Sequence, residues 1–189
     1  MGLEMTETRN VIDFYHYWET DAIKADLDSK RHNFSIVCTN LNGDFNIATV
    51  IRNSNAFLAH KIFIYGNRKY DKRGTVGTYH YERFHHVKRV ENNISELEQE
   101  IRKELSKDGI TKILMIGIDN VTKAFPIETF EFQEDIHYVF FLGEEQLGLP
   151  QEILELCNFS LFVRQYGSVR SLNVGTISGI IMYEYCRQL

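Results

Sequence analysis

The chain has 189 residues, 43% of them hydrophobic, with two prolines and a formal net charge of -5 at pH 7. That length supports one compact core and is short for two, and no internal repeat or low-complexity tract interrupts it. Cys38, Cys157 and Cys186 lie far apart with no CxxC pair, which speaks against a disulfide framework or zinc ribbon and fits a reducing compartment.

No apolar run approaches the length that crosses a bilayer, so the expectation is a soluble, cytoplasmic protein without a membrane partner. The opening "MGLEMT" matches a myristoylation pattern. Its acidic neighbours and the lack of a polybasic second signal favour a chance match.

In chain order, Val11, Tyr15, Trp18, Ala22 and Ala25 recur at three- and four-residue spacing and predict an amphipathic helix over residues 10–31. "FSIVCTNL" (34–41) predicts a strand, "NIATVIRNSNAFLA" (46–59) a helix and "KIFIYG" (61–66) a short strand. A basic loop follows, then a charged helix over 94–109 stopped by Gly109. "KILMIGI" (112–118) and "IHYVFFLG" (136–143) are continuous apolar runs, the pattern of strands covered on both faces. A helix over 150–157 with Pro150 in its first turn, a strand over 159–164 and a last helix over 171–187 complete the chain. The alternation predicts an α/β fold with a mostly parallel sheet flanked by helices.

The charge is uneven. Residues 60–90 carry eight Lys/Arg (Lys61, Arg68, Lys69, Lys72, Arg73, Arg83, Lys88 and Arg89) against Asp71 and Glu82, while the rest of the chain is acidic. A solvated loop and a phosphate-contacting patch explain this equally by charge alone; the interleaved Tyr65, Tyr70, Tyr79, Tyr81 and Phe84 tip it toward RNA, whose bases stack on such rings. No GxGxxG, Walker A or GxSxG signature occurs. His80, His85 and His86 lie close together, but no neighbouring carboxylate or cysteine spacing completes a metal site, so no metal is expected.

Three segments each carry weak signals. In the first predicted helix of the domain, Asn46 and Arg52 fall six apart, and Arg52 sits inside the apolar pattern, an odd place for a guanidinium unless it enters a cleft. In "FFLGEEQLGLP" a buried strand ends at Gly143 and runs into Glu144, Glu145 and Gly148, the kind of loop where open α/β sheets bind ligands. In "VRSLNVGTISGIIMYE" Ser171 is placed to cap the last helix with Asn173 just inside it, and Gly175 and Gly179 put two small residues on one helix face. That glycine face suits either a second chain or packing within the monomer.

Together and in this order the segments resemble the SpoU/TrmH family of RNA ribose methyltransferases, in the SPOUT superfamily. Its N-x(5)-R, G-x-E-x-x-G-[LI] and S-L-N-V motifs correspond to Asn46–Arg52, Gly143–Leu149 and Ser171–Val174. The resemblance covers residues 34–187 and implies a carboxyl-terminal trefoil knot, S-adenosyl-L-methionine as cofactor, and a homodimer. It divides the chain into a helical extension (1–33) and a SPOUT methyltransferase domain (34–189). It assigns Leu142, Gly143, Gly148, Val163 and Leu172 to the cofactor and Arg52, Asn46, Glu145, Ser171 and Asn173 to catalysis. The expected RNA contacts are Arg68, Lys69, Lys72, Arg73, Arg164 and Arg170. Arg164, Gln165 and Gly175 depart from residues frequent in the family, which has proline, methionine and serine or alanine there.

The implied reaction is methyl transfer to a ribose 2′-hydroxyl of RNA. The chain has a helical extension of about thirty residues where ribosomal RNA members carry a separate amino-terminal domain, which points to tRNA, with the D-loop guanosine ahead of the wobble ribose and ribosomal RNA third. The acidic overall charge leaves room for an accessory protein. The readings from other classes are a non-catalytic knotted module that binds cofactor or RNA and, on composition alone, a small-molecule-binding α/β domain.

Overall fold

The computed structural model describes residues 9–39, 44–66, 70–89, 94–144, 147–169 and 171–189. Seven strands form one sheet, parallel throughout: β1 (Phe34–Thr39), β2 (Lys61–Tyr65), β3 (Phe84–Val87), β4 (Ile113–Ile118), β5 (Phe125–Pro126), β6 (His137–Leu142) and β7 (Phe159–Phe162). Their order is β3-β2-β1-β6-β4-β7-β5. The helices are α1 (Thr20–Asp28), α2 (Asp44–Ala56), α3 (Ile94–Ser106), α4 (Gln151–Leu156) and α5 (Val174–Gln188).

The unbroken apolar runs follow from a two-faced core. Successive strand residues point to opposite faces, so Ile36, Cys38, Tyr138, Phe140 and Leu142 join Val50 and Ile51 of α2 and Ile181, Met182 and Tyr185 of α5. Val37, Val139 and Phe141 join Leu97, Ile101 and Leu105 of α3 and Ile153 of α4 on the other side. Leu97, Ile101 and Leu105 recur every four residues and form the only buried stripe of an otherwise charged helix.

Several elements differ from the sequence reading. The helix expected over 10–31 is a 3-10 turn at Asp13–Tyr15 followed by the short α1. The aromatic segment packs on itself, Tyr15 and Trp18 meeting edge to face at 5.5 Å, and the Arg9 guanidinium donates to the carbonyls of Trp18 (2.8 Å) and His16 (3.1 Å), closing the chain into a turn there. Ile23 is the only buried residue of α1. This amino-terminal layer is held by Arg31, which donates to Ala59 O, Tyr81 O and the Glu82 carboxylate, the last at 2.9 Å.

Strands β3 and β5 escaped the sequence reading because they are edges. β3 pairs only with β2, and its His85 and His86 break the apolar run. β5 has two residues.

Gly175 and Gly179 face α2 of the same chain. A Cβ on Gly175 would stand 2.8 Å from Thr49 Cγ2, and one on Gly179 3.2 Å from Asn53 Nδ2. Asn53 donates from Nδ2 to Gly175 O and Ser178 Oγ, both at 2.9 Å. The glycine spacing therefore serves an intrachain helix pair.

Candidate active site

The carboxyl ends of β4, β6 and β7 open onto one cavity of about 510 Å³. This is the size of a small-molecule site. Asp119 and Asn120 enter it beyond β4, Leu142, Gly143, Glu144, Leu147 and Gly148 beyond β6, and Val163 and Gln165 beyond β7; Ser171, Leu172 and Val174 close it at the start of α5. All five residues that the family resemblance assigned to the cofactor thus stand on a single cavity.

Backbone geometry builds its floor. Glu144 N–H donates to Gly148 O (3.1 Å) and Gly148 N–H to Glu144 O (2.9 Å), pinching the loop into a tight bridge. A Cβ on Gly143 would lie 2.4 Å from the carbonyl carbon of Gly148, and one on Gly148, at φ +67°, would lie 2.4 Å from Asp119 Oδ2. Only glycine fits either position.

Asp119 ties this loop to β4. Its Oδ2 accepts from Leu149 N–H at 2.8 Å and its Oδ1 from Asn120 N–H at 2.7 Å. The sequence reading missed Asp119, although an acid directly after a buried parallel strand is a signal for a site residue. Thr39 Oγ1 donates to Leu142 O at 2.8 Å and fixes the last residue of β6 from the neighbouring strand.

Asn173, not Ser171, caps α5. Its Oδ1 accepts from Gly175 N–H (2.8 Å) and Thr176 N–H (3.4 Å), while its Nδ2 donates to Asn46 Oδ1 at 2.8 Å. An amide both caps a helix and reaches across to α2, whereas Ser171 stays exposed on the cavity rim. The first and third motifs are thereby joined by side chains 127 positions apart.

Arg52 was expected to enter a cleft, yet it is exposed and lies outside the cavity walls. Among the described residues it is the one arginine whose guanidinium makes no hydrogen bond or ion pair. Glu145, Arg68, Lys69 and Arg170 lie outside the described residues.

Among its described residues the basic segment does not form one patch. Lys61 is buried at the start of β2 and, with His60 and Arg83, surrounds Asp108. Burial raises the Asp108 carboxyl, but hydrogen bonds from His60, Arg83 and Lys61 outweigh it and hold the group below the usual carboxylate range. Arg73 pairs with Asp71 and Arg89 with Glu152. Lys72 lies over the Tyr79 ring at 4.0 Å. Arg164, expected to meet phosphate, pairs with Glu128 at 2.8 Å.

The histidine cluster does gain carboxylates, from α3. Ligand atoms of His85, Glu100 and Glu104 lie within 4.8 Å of one another. Lys103 neutralises Glu100, and Lys61 and Lys107 neutralise Glu104, so the trio is an ion network. Nearby, burial drives the His137 imidazole down to about 3, with Nε2 on Ser35 Oγ at 2.9 Å.

A family model described as the SpoU rRNA methylase family matches residues 33–183. The chain belongs to the SpoU family. Among relatives, this SpoU chain is 30% identical over 86 residues to a tRNA (guanosine(18)-2′-O)-methyltransferase of Saccharomyces cerevisiae, covering 46% of the chain and 6% of that protein. It is 33% identical over 76 residues to the 23S rRNA (guanosine-2′-O-)-methyltransferase RlmB of Acinetobacter baylyi, covering 40% of the chain and 30% of that protein. The crystal structure of the SpoU methyltransferase AviRb from Streptomyces viridochromogenes, in complex with AdoMet, superposes with a TM-score of 0.70 at 24% identity, covering 84% of this chain and 58% of that one. The SpoU chain therefore spans well under two thirds of each of these proteins, and the structural likeness shows its fold.

Proposed function

We propose that this SpoU chain transfers a methyl group from S-adenosylmethionine to a ribose 2′-hydroxyl of RNA. The observation that carries the reading is the cavity at the carboxyl ends of β4, β6 and β7, lined by Leu142, Gly143, Gly148, Val163 and Leu172 in a chain of this family. Its chemistry fits the cofactor: Asp119 and Glu144 supply negative charge, no lysine or arginine lines it among the described residues, and the remaining walls are mostly apolar, with Asn120, Gln165 and Ser171 as the uncharged polar side chains. A cationic ligand with a flat apolar end suits such a site.

When bound, S-adenosylmethionine supplies an electrophilic methyl on its sulfonium. The protein's part is to hold the RNA hydroxyl in line and stabilise the oxygen as its proton passes to an RNA phosphate oxygen or to water. Arg52 serves this as an exposed cation, placed to meet the RNA phosphate or the developing alkoxide; a guanidinium does not deprotonate in proteins, so it acts by charge and not as a base. Asn46 and Asn173, bonded to each other, join α2, which bears Arg52, to the start of α5 beside the cavity. Ser171 stands on the rim, within the same reading a contact for the incoming ribose. Glu145 belongs to the same proposed set.

For the substrate we infer tRNA, with the D-loop guanosine ahead of the wobble ribose. The similarity to the yeast tRNA enzyme supports it, and the similarity to RlmB makes ribosomal RNA the reading to exclude. Lys72, stacked on Tyr79, and the exposed Lys88 are the RNA contacts the geometry favours, with Arg68, Lys69 and Arg170 in the same set. A homodimer completes the reading, supported by the exposed Tyr166, Val169 and Tyr183. The trefoil knot belongs to it too, supported by the convergence of the segments beyond β6 and β7 on one cavity.

The test is incubation of the purified protein with labelled S-adenosylmethionine and, separately, unmodified tRNA and ribosomal RNA, followed by mass spectrometry of the digests. Label on one tRNA ribose is expected. Label on ribosomal RNA alone refutes the tRNA assignment, and no transfer despite cofactor binding points to a missing accessory protein or a non-catalytic module.

A further inference from the structure

Gln165 carries an unmet requirement inside the cavity. It stands on the segment beyond β7 and lines the cavity wall, yet its side-chain carbonyl Oε1 is shut off from solvent and has no hydrogen-bond partner. A buried acceptor left unpaired is costly, and native folds retain one chiefly where a ligand or water completes it. Neither the Asn120 amide nor the Ser171 hydroxyl, side-chain donors on the described walls, bonds to it. The terminal torsion of a glutamine is broad, so a partial turn that brings Oε1 to the cavity costs little.

The side chains around the cavity are sorted. The β4 and β6 side brings the carboxylates Asp119 and Glu144 among apolar neighbours, whereas the described residues from β7 through the start of α5 that line the cavity are apolar except for Gln165 and Ser171 and carry no charge. Gln165 belongs to the apolar sector. A cofactor with a cationic end and a flat base would put the cation toward the acids and the base toward the hydrocarbon, beside Gln165.

We propose that Gln165 Oε1 accepts a hydrogen bond from the exocyclic amine of the adenine of S-adenosylmethionine and so reads the base of the cofactor. The inference rests on the cofactor reading above. An aromatic amine donates and has no acceptor role to offer, so it matches an orphaned carbonyl; a base with an oxo group at that position presents an acceptor to an acceptor and is disfavoured by the reversal of the amide it requires.

The experiment is calorimetric titration of the protein with S-adenosylhomocysteine and with S-inosylhomocysteine, in wild type, Gln165→Leu and Gln165→Glu, with circular dichroism to confirm folding. Wild type should prefer the adenosyl compound. Gln165→Leu should weaken adenosyl binding about 3- to 10-fold, the worth of one neutral hydrogen bond, and leave inosyl binding unchanged, so that the preference shrinks by the same factor. Gln165→Glu, which keeps an acceptor at that position, should retain the preference. An undiminished preference in Gln165→Leu overturns this inference alone. Failure of wild type to bind S-adenosylhomocysteine removes the cofactor reading with it.

Discussion

Replacing Gly143 by alanine probes the cavity floor most directly. The added Cβ would fall 2.4 Å from the carbonyl carbon of Gly148 and 2.6 Å from Gly148 O and Leu149 N. All three are backbone atoms, so no rotamer change relieves the clash, and restoring ordinary contact requires the loop to move by roughly 1 Å. That loop is held by the reciprocal Glu144–Gly148 bonds and by Leu149 N–H on the Asp119 carboxylate. Forfeiting two or three such bonds, one charge-assisted, costs about 2–4 kcal/mol, which corresponds to roughly 30- to 1,000-fold in a dissociation constant. Titration calorimetry with S-adenosylhomocysteine reads the loss, and a far-ultraviolet spectrum checks that the sheet survives. Gly167→Ala is the control, because a Cβ there meets nothing within 4 Å, and it should bind within about 2-fold of wild type. A Gly143→Ala protein that binds as tightly as wild type would refute the argument that this close approach shapes the cofactor site.

Three further outcomes follow from other parts of the molecule. Arg52→Ala and Arg52→Lys should each lower methyl transfer at least about 10²-fold while leaving the cofactor dissociation constant within about 2-fold, since the guanidinium lies outside the cavity walls; equal losses in binding and turnover would contradict this. His137, held neutral by burial, must bind a proton on unfolding below its ordinary value near 6.5, so its stabilising contribution is full above that pH and is lost as the pH falls toward about 3. Between pH 7 and pH 5 this amounts to about 2 kcal/mol, seen in urea melts as a steeper loss for wild type than for His137→Gln; parallel losses would assign the pH dependence to the neighbouring His60, Lys61 and Asp108 instead. Glu82→Ala should destabilise the fold by about 2–3 kcal/mol, because the Arg31 and Glu82 side chains are 1% and 0% exposed and the buried guanidinium would keep only Asp28 as a charged partner; a melting temperature near that of wild type would show that the Asp28 pair suffices for Arg31.

How much of this was legible in the sequence divides along a physical line. Strands buried on both faces write themselves as uninterrupted apolar runs, so β1, β2, β4, β6 and β7 could be read within a few residues of their ends. Edge strands have one neighbour and one wet side, and nothing in "FHHV" distinguishes β3 from a loop. The three motifs carried the family, and the residues that the resemblance assigned to the cofactor lie together on one cavity. What could not be read was partnership across the chain. Asp119 reaches Leu149 over 30 positions, Asn173 reaches Asn46 over 127, and Glu100 and Glu104 reach His85 from a helix that presents them as plain surface charge. Each of these depends on register and helix orientation, which local spacing does not encode.

Charge shows the same division at the scale of the whole molecule. The sequence presents a basic stretch in an acidic protein, and counting alone leaves a solvated loop and a phosphate-contacting patch equally open. In the fold, Lys61 and Arg83 are consumed by Asp108 and its neighbours, and Arg73, Arg89 and Arg164 by single carboxylates. Arg52 is left as the one described arginine without a partner, exposed on the helix that the Asn46–Asn173 bond joins to the cavity rim. A cation already paired must break its bond before it can serve a phosphate, whereas an unpaired one brings its full charge to the encounter. The acids follow the opposite logic. Asp119 and Glu144 line a cavity whose described walls hold no lysine or arginine, so the local charge there is negative. The two substrates in the proposed reaction carry opposite charge, and the fold keeps the groups that would meet them apart: two acids on the cavity wall for the sulfonium and, among the described arginines, the unpaired Arg52 outside it for the RNA.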